Sequence, residues 1–387
     1  KAIDQPAHRS LLRKAAADGM VLLKNEGLLP LKKNIKKLAV IGPNAKEAQI
    51  IGGGSASLRP HYQIHPLEAV RERLGHETEI LYSKGCHTHK YLPKINERLM
   101  GNKDGFLVEY FDGNKFDENL ILEERLNGSK FWVFEGFAKD VISQEDRPNI
   151  SVRFSCEYTP DISGSHEFEI FGIGQCRLLI DGNELIDNWT STDPGEAFFT
   201  FGSASKKGIV HFEKGETYKI EVQYHFEGSF PAVYIGCQAP DAVDIFQEAI
   251  ETASSADEVL LIVGTNSDWE TEGNDRADFN LPANQNKLIE AILEANQNTV
   301  IVINTGSPVH MPWEKKANAI VQTWFAGQEF GNALVDILSG QVNPSGKLPT
   351  TFPAKIEDTP AYKIYPGNDL QMNYDEKLLV GYRWYER

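Results

Sequence analysis

A cluster of acidic residues follows a strongly apolar run of the chain. Residues 259–263 are all aliphatic, which is typical of a buried parallel strand. The segment 269–276 comes soon afterwards and contains Glu270 and Glu272. Because ligands of open α/β sheets bind beyond the carboxyl ends of the strands, this segment is a candidate site. Its Trp269 offers a flat ring for stacking on a ligand, and either glutamate offers a proton.

Two carboxyl groups of unequal proton affinity are what glycoside hydrolysis needs. The group that protonates the departing oxygen must stay protonated near neutral pH, while a second carboxylate stays ionised. Glu270 and Glu272 are candidates for the first role, and neither completes the reaction alone. The alternative is a solvated acidic loop with an internal pair between Asp275 and Arg276, since charge clusters usually lie at the surface.

A glycine-rich segment, residues 50–57, follows the first predicted strand of the α/β pattern. It has neither the Gly-Lys-Ser/Thr ending of a phosphate loop nor the G-x-G-x-x-G spacing, which argues against nucleotide binding. Glycines here would let the backbone approach the neighbouring domain or a ligand closely, with a plain turn as the alternative. Ser55 and Arg59 are candidate substrate contacts.

Metal and cofactor chemistry are disfavoured by the distribution of possible ligands. Cys86, His87 and His89 lie together, but no second cluster supplies the missing ligands, so we expect no metal and no other cofactor. The four cysteines are scattered, and both free thiols and one or two disulfides are compatible with their positions. The compartment, cytoplasmic or secreted, stays open on this basis.

The charge balance limits the classes of partner. The chain has 39 basic and 55 acidic residues, which gives a net charge of -16. Such a charge disfavours nucleic acid and anionic membrane as partners and favours a neutral ligand such as a sugar. No apolar stretch approaches the roughly 20 residues that cross a bilayer. Homo-oligomer formation is left open by the sequence.

Two stretches of alternating helix and strand patterns flank a block of a different kind. The first has a predicted helix at 8–23, a strand at 37–43, a helix at 65–74 and a strand at 79–82. The second has predicted helices at 243–253, 282–295 and 329–338 and strands at 259–263, 299–304 and 319–324. The economical interpretation is one mostly parallel sheet whose chain is interrupted by an insertion.

Residues 103–240 show short alternating or aromatic-rich runs without intervening helices. Strands are predicted at 106–111, 151–154, 166–170, 177–180 and 218–224, with a hairpin turn at Asp181 and Gly182. Repeated short strands of this kind favour a β-sandwich. Its aromatic residues are most often core, and those in turns are also able to stack on a sugar.

These motifs together resemble glycoside hydrolase family 3 β-glucosidases that carry a PA14 insertion. The resemblance covers nearly the whole chain. It rests on the segment 20–31, Gly52-Gly53-Gly54-Ser55-Ala56, the Leu-Ile-Asp-Gly of 179–182 with Asp-Asn-Trp at 187–189, Glu272-Gly273-Asn274-Asp275-Arg276 and residues 345–353. Asn274 departs from the family pattern, in which an aromatic residue is common there.

The resemblance implies a role for each part of the chain. Glu272 would be the general acid/base, with Glu270 as the second choice. The PA14 block would shape the aglycone end of the site, with Trp189 and Phe198 as candidate contacts. The implied organisation is a linker and helix at 1–35, the α/β sandwich at 36–102 and 241–365, the PA14-like insertion at 103–240 and a linker at 366–387.

The resemblance also implies what lies outside the chain. In this family the nucleophile is an Asp on an N-terminal (β/α)8 barrel, and a fibronectin-like domain follows the sandwich. We therefore expect a fragment that binds a barrel, acts on a β-glucoside or oligosaccharide as part of a retaining enzyme and is inactive alone. The alternatives are a carbohydrate-binding module without catalysis and another family specificity such as β-xylosidase.

Overall fold

The computed structural model describes residues 3–95, 105–141, 149–367 and 371–386. The chain forms two compact units, Lys1–His89 with Val243–Arg387, and Lys90–Ala242. Lys90–Ala242 is continuous in sequence, so it is an insertion in the first unit. The sequence-based boundary between residues 102 and 103 lies outside the described residues, and the inserted unit already begins at Lys90.

The helices and strands of both units are numbered along the chain. The helices are α1 (Pro6–Gly19), α2 (Pro43–Lys46), α3 (Pro66–Leu74), α4 (Ile245–Ser254), α5 (Gln285–Ala295), α6 (Phe330–Leu338) and α7 (Tyr382–Tyr385). The strands are β1 (Val21–Asn25), β2 (Lys37–Ile41), β3 (Glu79–Ser83), β4 (Phe106–Asp112), β5 (Leu120–Leu126), β6 (Lys130–Trp132), β7 (Asn149–Tyr158), β8 (Gly164–Ile173), β9 (Gln175–Ile180), β10 (Asn183–Asn188), β11 (Lys206–Phe212), β12 (Tyr218–Glu227), β13 (Ala232–Gln238), β14 (Glu258–Gly264), β15 (Thr299–Asn304) and β16 (Ala319–Gln322).

The first unit is built on a six-stranded sheet in the order β1-β16-β15-β14-β2-β3. All neighbouring pairs are parallel except β1 with β16, so the predicted mostly parallel α/β fold is confirmed. Every residue of β14 and β15 is buried, because helices cover both faces of the sheet. Residues of α1, α3 and α6 pack on one face, and residues of α4 and α5 pack on the other.

The predicted helix at 8–23 is wrong in its last turn. Helix α1 ends at Gly19, and Val21 begins strand β1, which pairs antiparallel with β16 from Val21 opposite Gln322. The apolar residues after Gly19 fit a helix or a strand equally well. The edge of β16 decides between them, because its backbone groups need hydrogen-bond partners.

The inserted unit consists of two antiparallel sheets, as the alternating strand patterns predict. Their orders are β10-β9-β12-β7-β4-β5 and β11-β8-β13-β6. Phe154 and Tyr224 of the first sheet and Phe168 of the second belong to one hydrophobic core. Asp181 and Gly182 form the predicted two-residue hairpin turn, with φ of 49° and 80°.

The described residues include the cysteines, the helices and the side chains that are possible metal ligands. All four cysteines are buried free thiols, and burial raises the pKa of each to about 12. In the described part of the chain, no helix is both long and apolar enough to cross a membrane. Within the same residues, no three or more His, Cys, Asp or Glu side chains lie close enough to share a metal ion.

Candidate active site

The connections of the first unit leave a crevice between strands β2 and β14. From β2 the chain passes through α3 to β3 on one side, whereas from β14 it passes through α5 to β15 and then to β16 on the other. Because these crossovers diverge, the loops after β2 and β14 separate at the carboxyl edge of the sheet, which is where ligands of such sheets bind. Ser55 lies in the first loop. Glu272 lies in the second, in the segment 269–276 (the acidic loop).

The carboxylate of Glu272 is held by Ser55 across this crevice. The backbone N–H of Ser55 donates to Oε2 of Glu272 over 2.8 Å, and the Ser55 hydroxyl donates to the same oxygen. The hydroxyl and the N–H both favour the ionised form, so they hold the pKa of the Glu272 carboxyl below its usual value. Glu272 is exposed and therefore open to a ligand.

Two glycines allow the loops to approach this closely. Gly54 has φ of +65°, and a Cβ atom there would lie 2.6 Å from Cβ of Glu272. The backbone N–H of Gly53 donates to the carbonyl oxygen of Glu270 over 2.9 Å. The glycine segment therefore allows a close backbone approach to the acidic loop of the same unit, whereas the sequence had suggested an approach to the neighbouring domain or a ligand.

Glu270 occupies a different environment from Glu272. Its Oε1 accepts hydrogen bonds from the Thr265 hydroxyl over 2.5 Å and from the Gly306 backbone N–H over 3.0 Å. Glu270 is also half-buried. Its carboxylate thus links the acidic loop to the loop after β15. Glu270 has a structural role in this way, whereas Glu272 is open to solvent.

Further side chains fix the rest of the acidic loop. The Trp269 indole N–H donates to the Thr88 carbonyl oxygen over 2.6 Å, and its ring is half-buried. Arg276 donates to the Asn280 carbonyl oxygen over 2.5 Å and to the Ser307 hydroxyl over 3.3 Å. Burial lowers the pKa of the Arg276 guanidinium. These contacts hold Arg276 against the loop after β15.

The two loops border an open cleft of about 730 Å³. Ser55, Trp269 and Glu272 all line it, so three of the residues predicted from the sequence come together. Arg59 is exposed further along the glycine loop and lies outside the described lining of this cleft. The remaining lining residues are Gly52, Gly53, Ala56, Glu270, Thr271, Asn274, Asp275, Arg276, Gly306, Ser307 and Phe325.

Trp189 and Phe198 belong to the inserted unit, and their environments differ. Phe198 is only 9% exposed and packs against Trp132 and Phe171, with ring centroids 5.5 and 5.7 Å apart. Its burial favours a packing role over contact with a sugar. Trp189 is half-buried, and the guanidinium of Arg177 lies 5.3 Å from its ring centroid. Part of the Trp189 surface is thus open to a ligand.

A buried amide that sequence reasoning missed joins the loops after β2 and β16 at the carboxyl edge of the sheet. Asn304 ends strand β15 and donates to the carbonyl oxygens of Gln49 and Trp324 over 2.8 and 2.7 Å. Its own Oδ1 accepts from the Gln49 backbone N–H and from the Asn44 amide. A polar residue directly after the aliphatic run 300–303 is a signal that could have identified Asn304, because strand ends border the site.

Comparison with known proteins addresses the family to which the chain belongs. The sequence profile of the glycosyl hydrolase family 3 C-terminal domain matches residues 20–382. The chain belongs to glycosyl hydrolase family 3. A beta-glucosidase of Rhizobium radiobacter, for example, is 37% identical over 396 residues, which cover 100% of this chain and 47% of that protein. Probable beta-glucosidase I of Aspergillus niger is 38% identical over 410 residues, with 100% and 49% covered.

Solved structures of the family show the same architecture. The crystal structure of a beta-glucosidase from Kluyveromyces marxianus is 34% identical, with a TM-score of 0.87 over 99% of this chain and 47% of that one. A structure of the same yeast enzyme in complex with glucose gives 33% identity and the same TM-score. The chain spans about half the length of the family members it matches.

Proposed function

We propose that this chain supplies the general acid/base of a retaining β-glucosidase and that Glu272 is that group. The observation that carries the proposal is the position of Glu272, an exposed carboxylate held by Ser55 over the cleft between the loops after β2 and β14. The names of the relatives, beta-glucosidases, supply the reaction and the sugar.

In the first step, Glu272 gives its proton to the glycosidic oxygen while a second carboxylate attacks the anomeric carbon. In the second step, the same Glu272, now ionised, takes a proton from the water that releases the sugar. Its exposure matters for both steps, because the departing alcohol and the incoming water must reach it. Glu270, which accepts hydrogen bonds from Thr265 and Gly306, is less suited to this exchange.

The second carboxylate is proposed to come from a part of the protein outside this chain. The other acids that line the cleft, Glu270 and Asp275, both accept hydrogen bonds that hold the loop. A retaining mechanism needs the two carboxyl groups about 5–5.5 Å apart. The chain is then a fragment of a longer enzyme, and by itself it is expected to leave β-glucosides intact.

The second carboxylate would also raise the pKa of Glu272, which is too low for a general acid while Ser55 alone acts on it. A general acid must be protonated near neutral pH, yet Ser55 holds the pKa of Glu272 below its usual value. A negative charge a few ångströms away and the exclusion of water by a bound sugar both raise a carboxyl pKa. Glu272 would thus become an acid only in the assembled, substrate-filled site.

Replacement of Glu272 in the full-length protein tests the assignment. For Glu272→Ala we expect kcat/KM on unactivated alkyl β-glucosides to fall about 100- to 10,000-fold, the usual contribution of general acid/base catalysis. Nitrophenyl glucosides, whose leaving groups need no proton, should still form the glycosyl-enzyme, and azide should release it as the β-glucosyl azide. Glu251→Ala, on the exposed side of α4, is the control. Unchanged kinetics of Glu272→Ala would contradict the assignment.

Two further outcomes separate the alternatives. If the isolated chain binds glucosides tightly in calorimetry and Glu272→Ala leaves hydrolysis unaffected, the chain is a carbohydrate-binding module. If the full-length protein hydrolyses β-xylosides faster than β-glucosides, the acid/base role stands and the sugar assignment changes. Comparison of kcat/KM for the two nitrophenyl glycosides decides the second point.

We also propose that the inserted β-sandwich is a PA14 module that contributes to substrate selection. Its Trp189 is half-buried, whereas Phe198 is largely enclosed. Trp189→Ala in the full-length protein should raise KM for aryl and oligosaccharide substrates and leave azide rescue of Glu272→Ala intact. An unchanged KM for all aglycones would remove Trp189 from the site.

A further inference from the structure

The two oxygens of the Glu272 carboxylate have different surroundings. Both hydrogen bonds described for Glu272 end on Oε2, one from the backbone N–H of Ser55 and one from its hydroxyl. Oε1 is the oxygen left for a substrate in the cleft, which Glu272 lines. The two oxygens are thus inequivalent before any ligand binds.

This asymmetry matters because the donors are not interchangeable. A hydroxyl is able to donate or accept, but a backbone N–H only donates. An oxygen that faces a backbone N–H at 2.8 Å is therefore stabilised as an acceptor, and a proton placed on it would give up that hydrogen bond. The proton of the neutral acid is consequently favoured on the other oxygen.

We propose that Ser55 is a positioning residue for Glu272. It holds Oε2 of the carboxyl as a hydrogen-bond acceptor, so that Oε1 carries the transferred proton. This inference rests on the proposed acid/base role of Glu272. Ser55 was a candidate for contact with the substrate from the sequence. Ser55 lines the cleft, and its contact with Glu272 gives it an action through that carboxyl as well.

The transferred proton leaves Oε1 in the first step, and a proton returns to Oε1 in the second. In the first step the Oε1–H bond breaks and an O–H bond forms on the departing oxygen, which also receives the electron pair of the glycosidic bond. The attacking group is the second carboxylate of the retaining mechanism. In the second step Oε1 removes a proton from water while the water oxygen bonds the anomeric carbon. The bond between that carbon and the second carboxylate breaks, its electron pair returns to the carboxylate, and both carboxyl groups regain their starting states.

The surroundings of Glu272 support the role of Ser55 as its specific partner. The Ser55 hydroxyl, and after it the Ser55 backbone N–H, lower the pKa of the Glu272 carboxyl, while desolvation acts in the opposite direction. The other charged residues that line the cleft are Glu270, Asp275 and Arg276, from the same loop. Gly54 lets Ser55 come this near, since a Cβ atom at Gly54 would meet the Glu272 side chain.

A carboxyl titration of the chain itself tests the contact without any need for activity. The protein is labelled with ¹³C at the glutamate side-chain carboxyls, and the Glu272 signal is assigned by its loss in Glu272→Gln. We expect Ser55→Ala to shift the pKa of Glu272 upward, because one of its two donors is gone. Ser55→Thr keeps the hydroxyl and should titrate close to wild type.

Ser57→Ala is the matched control, since Ser57 lies in the same loop and its hydroxyl donates to the Gly52 carbonyl oxygen. It should leave the Glu272 titration unchanged. The proposal is overturned if Ser55→Ala titrates as wild type, or if Ser57→Ala shifts Glu272 as much as Ser55→Ala does. Gly54→Ala is a second variant, expected to raise the pKa further by separating Glu272 from both donors.

Kinetics of the full-length protein then test whether Ser55 acts in proton transfer from Oε1 of Glu272. Ser55→Ala should lose more kcat/KM on alkyl than on nitrophenyl β-glucosides, and the basic limb of its pH profile should move to higher pH. An equal loss on both substrates, with azide rescue of Glu272→Ala intact, overturns the role of Ser55 and leaves the acid/base assignment standing. Failure of azide rescue overturns the proposed function, while the titration still reports on the contact.

Discussion

The hydroxyl of Tyr365 donates to the carboxylate of Asp275 over 2.5 Å and so links the C-terminal segment to the loop that carries Glu272. Tyr365 is far along the chain from this loop, in a segment whose own turn is closed by the hydrogen bond from the Tyr365 N–H to the Ala361 carbonyl oxygen. The hydrogen bond with Asp275 raises the pKa of the Tyr365 hydroxyl. The acidic loop is therefore supported at its outer end by a residue outside the sheet.

Loss of this link should loosen the acidic loop. For Tyr365→Phe we expect faster hydrogen exchange of the backbone amides at 266–276, measured by mass spectrometry, with the strands of the sheet unaffected. Tyr362→Phe is the control, because it removes one hydroxyl from the same segment. If the two variants exchange alike, the link from Tyr365 to Asp275 has no role in holding the loop.

Gly54→Ala should separate the two loops that form the cleft. The new methyl group would combine an unfavourable positive φ with a Cβ placed 2.6 Å from that of Glu272. Gly27→Ala is a matched control, since Gly27 has φ of +92° but open space around its Cβ position. We expect only Gly54→Ala to lower kcat/KM of the full-length protein beyond its effect on thermal stability. Equal kinetic losses would point to backbone strain alone.

Asn304→Leu should destabilise the first unit. The substitution leaves the carbonyl oxygens of Gln49 and Trp324 without their amide donor, and each unsatisfied buried group costs about 1–3 kcal/mol. For a unit of this size each kcal/mol lowers Tm by about 2–4 °C. Asn318→Ala, at a half-buried position whose side chain makes one hydrogen bond of 3.2 Å, should change Tm much less. Calorimetry of both variants makes the comparison.

Glu258→Gln should stabilise the protein in a pH-dependent way. Burial raises the pKa of the Glu258 carboxyl, and the Lys32 ammonium 3.5 Å away opposes this only in part. Because the folded-state pKa is the higher one, protonated Glu258 favours the folded state at low pH, and this contribution is lost as pH rises through the folded-state pKa. The Tm of the variant should exceed that of wild type near pH 7 and approach it below about pH 4.

Glu79→Gln is the control for that experiment. Glu79 also has a lysine partner, Lys37, 3.6 Å away, but both side chains are about half exposed. Exposed pairs of this kind contribute little to stability, so the Tm difference should stay small at every pH. A pH-independent gain for Glu258→Gln would show that its side-chain volume, and not its charge, sets the effect.

The helices and strands of the first unit were largely predictable because their signals are local. The all-aliphatic run before Gly264 is the central strand β14, and the residues from Pro66 to Leu74 form a helix as predicted. The end of α1 was not predictable in the same way. Val21, Leu22 and Leu23 follow the helical pattern, but they form an edge strand because β16 offers unpaired backbone groups.

The candidate site was predictable only in outline. Position after a buried strand identified the acidic loop, and family resemblance, not spacing, favoured Glu272 over Glu270. The structure distinguishes the two glutamates by their partners, Ser55 for one and Thr265 with Gly306 for the other. These contacts form across the crevice between β2 and β14, and no local pattern encodes them.

The sequence by itself determined most element types, the insertion of an all-β unit and the position of the acidic loop, because side-chain periodicity and turn residues act over a few positions. Only the tertiary structure decided that Ser55 meets Glu272, 217 positions away, and that Asn304 and Tyr365 support the loops around them. Such pairs depend on strand order and on the approach of two backbones at Gly54. The acidic loop is thus encoded locally, and the environment of its Glu272 arises from packing.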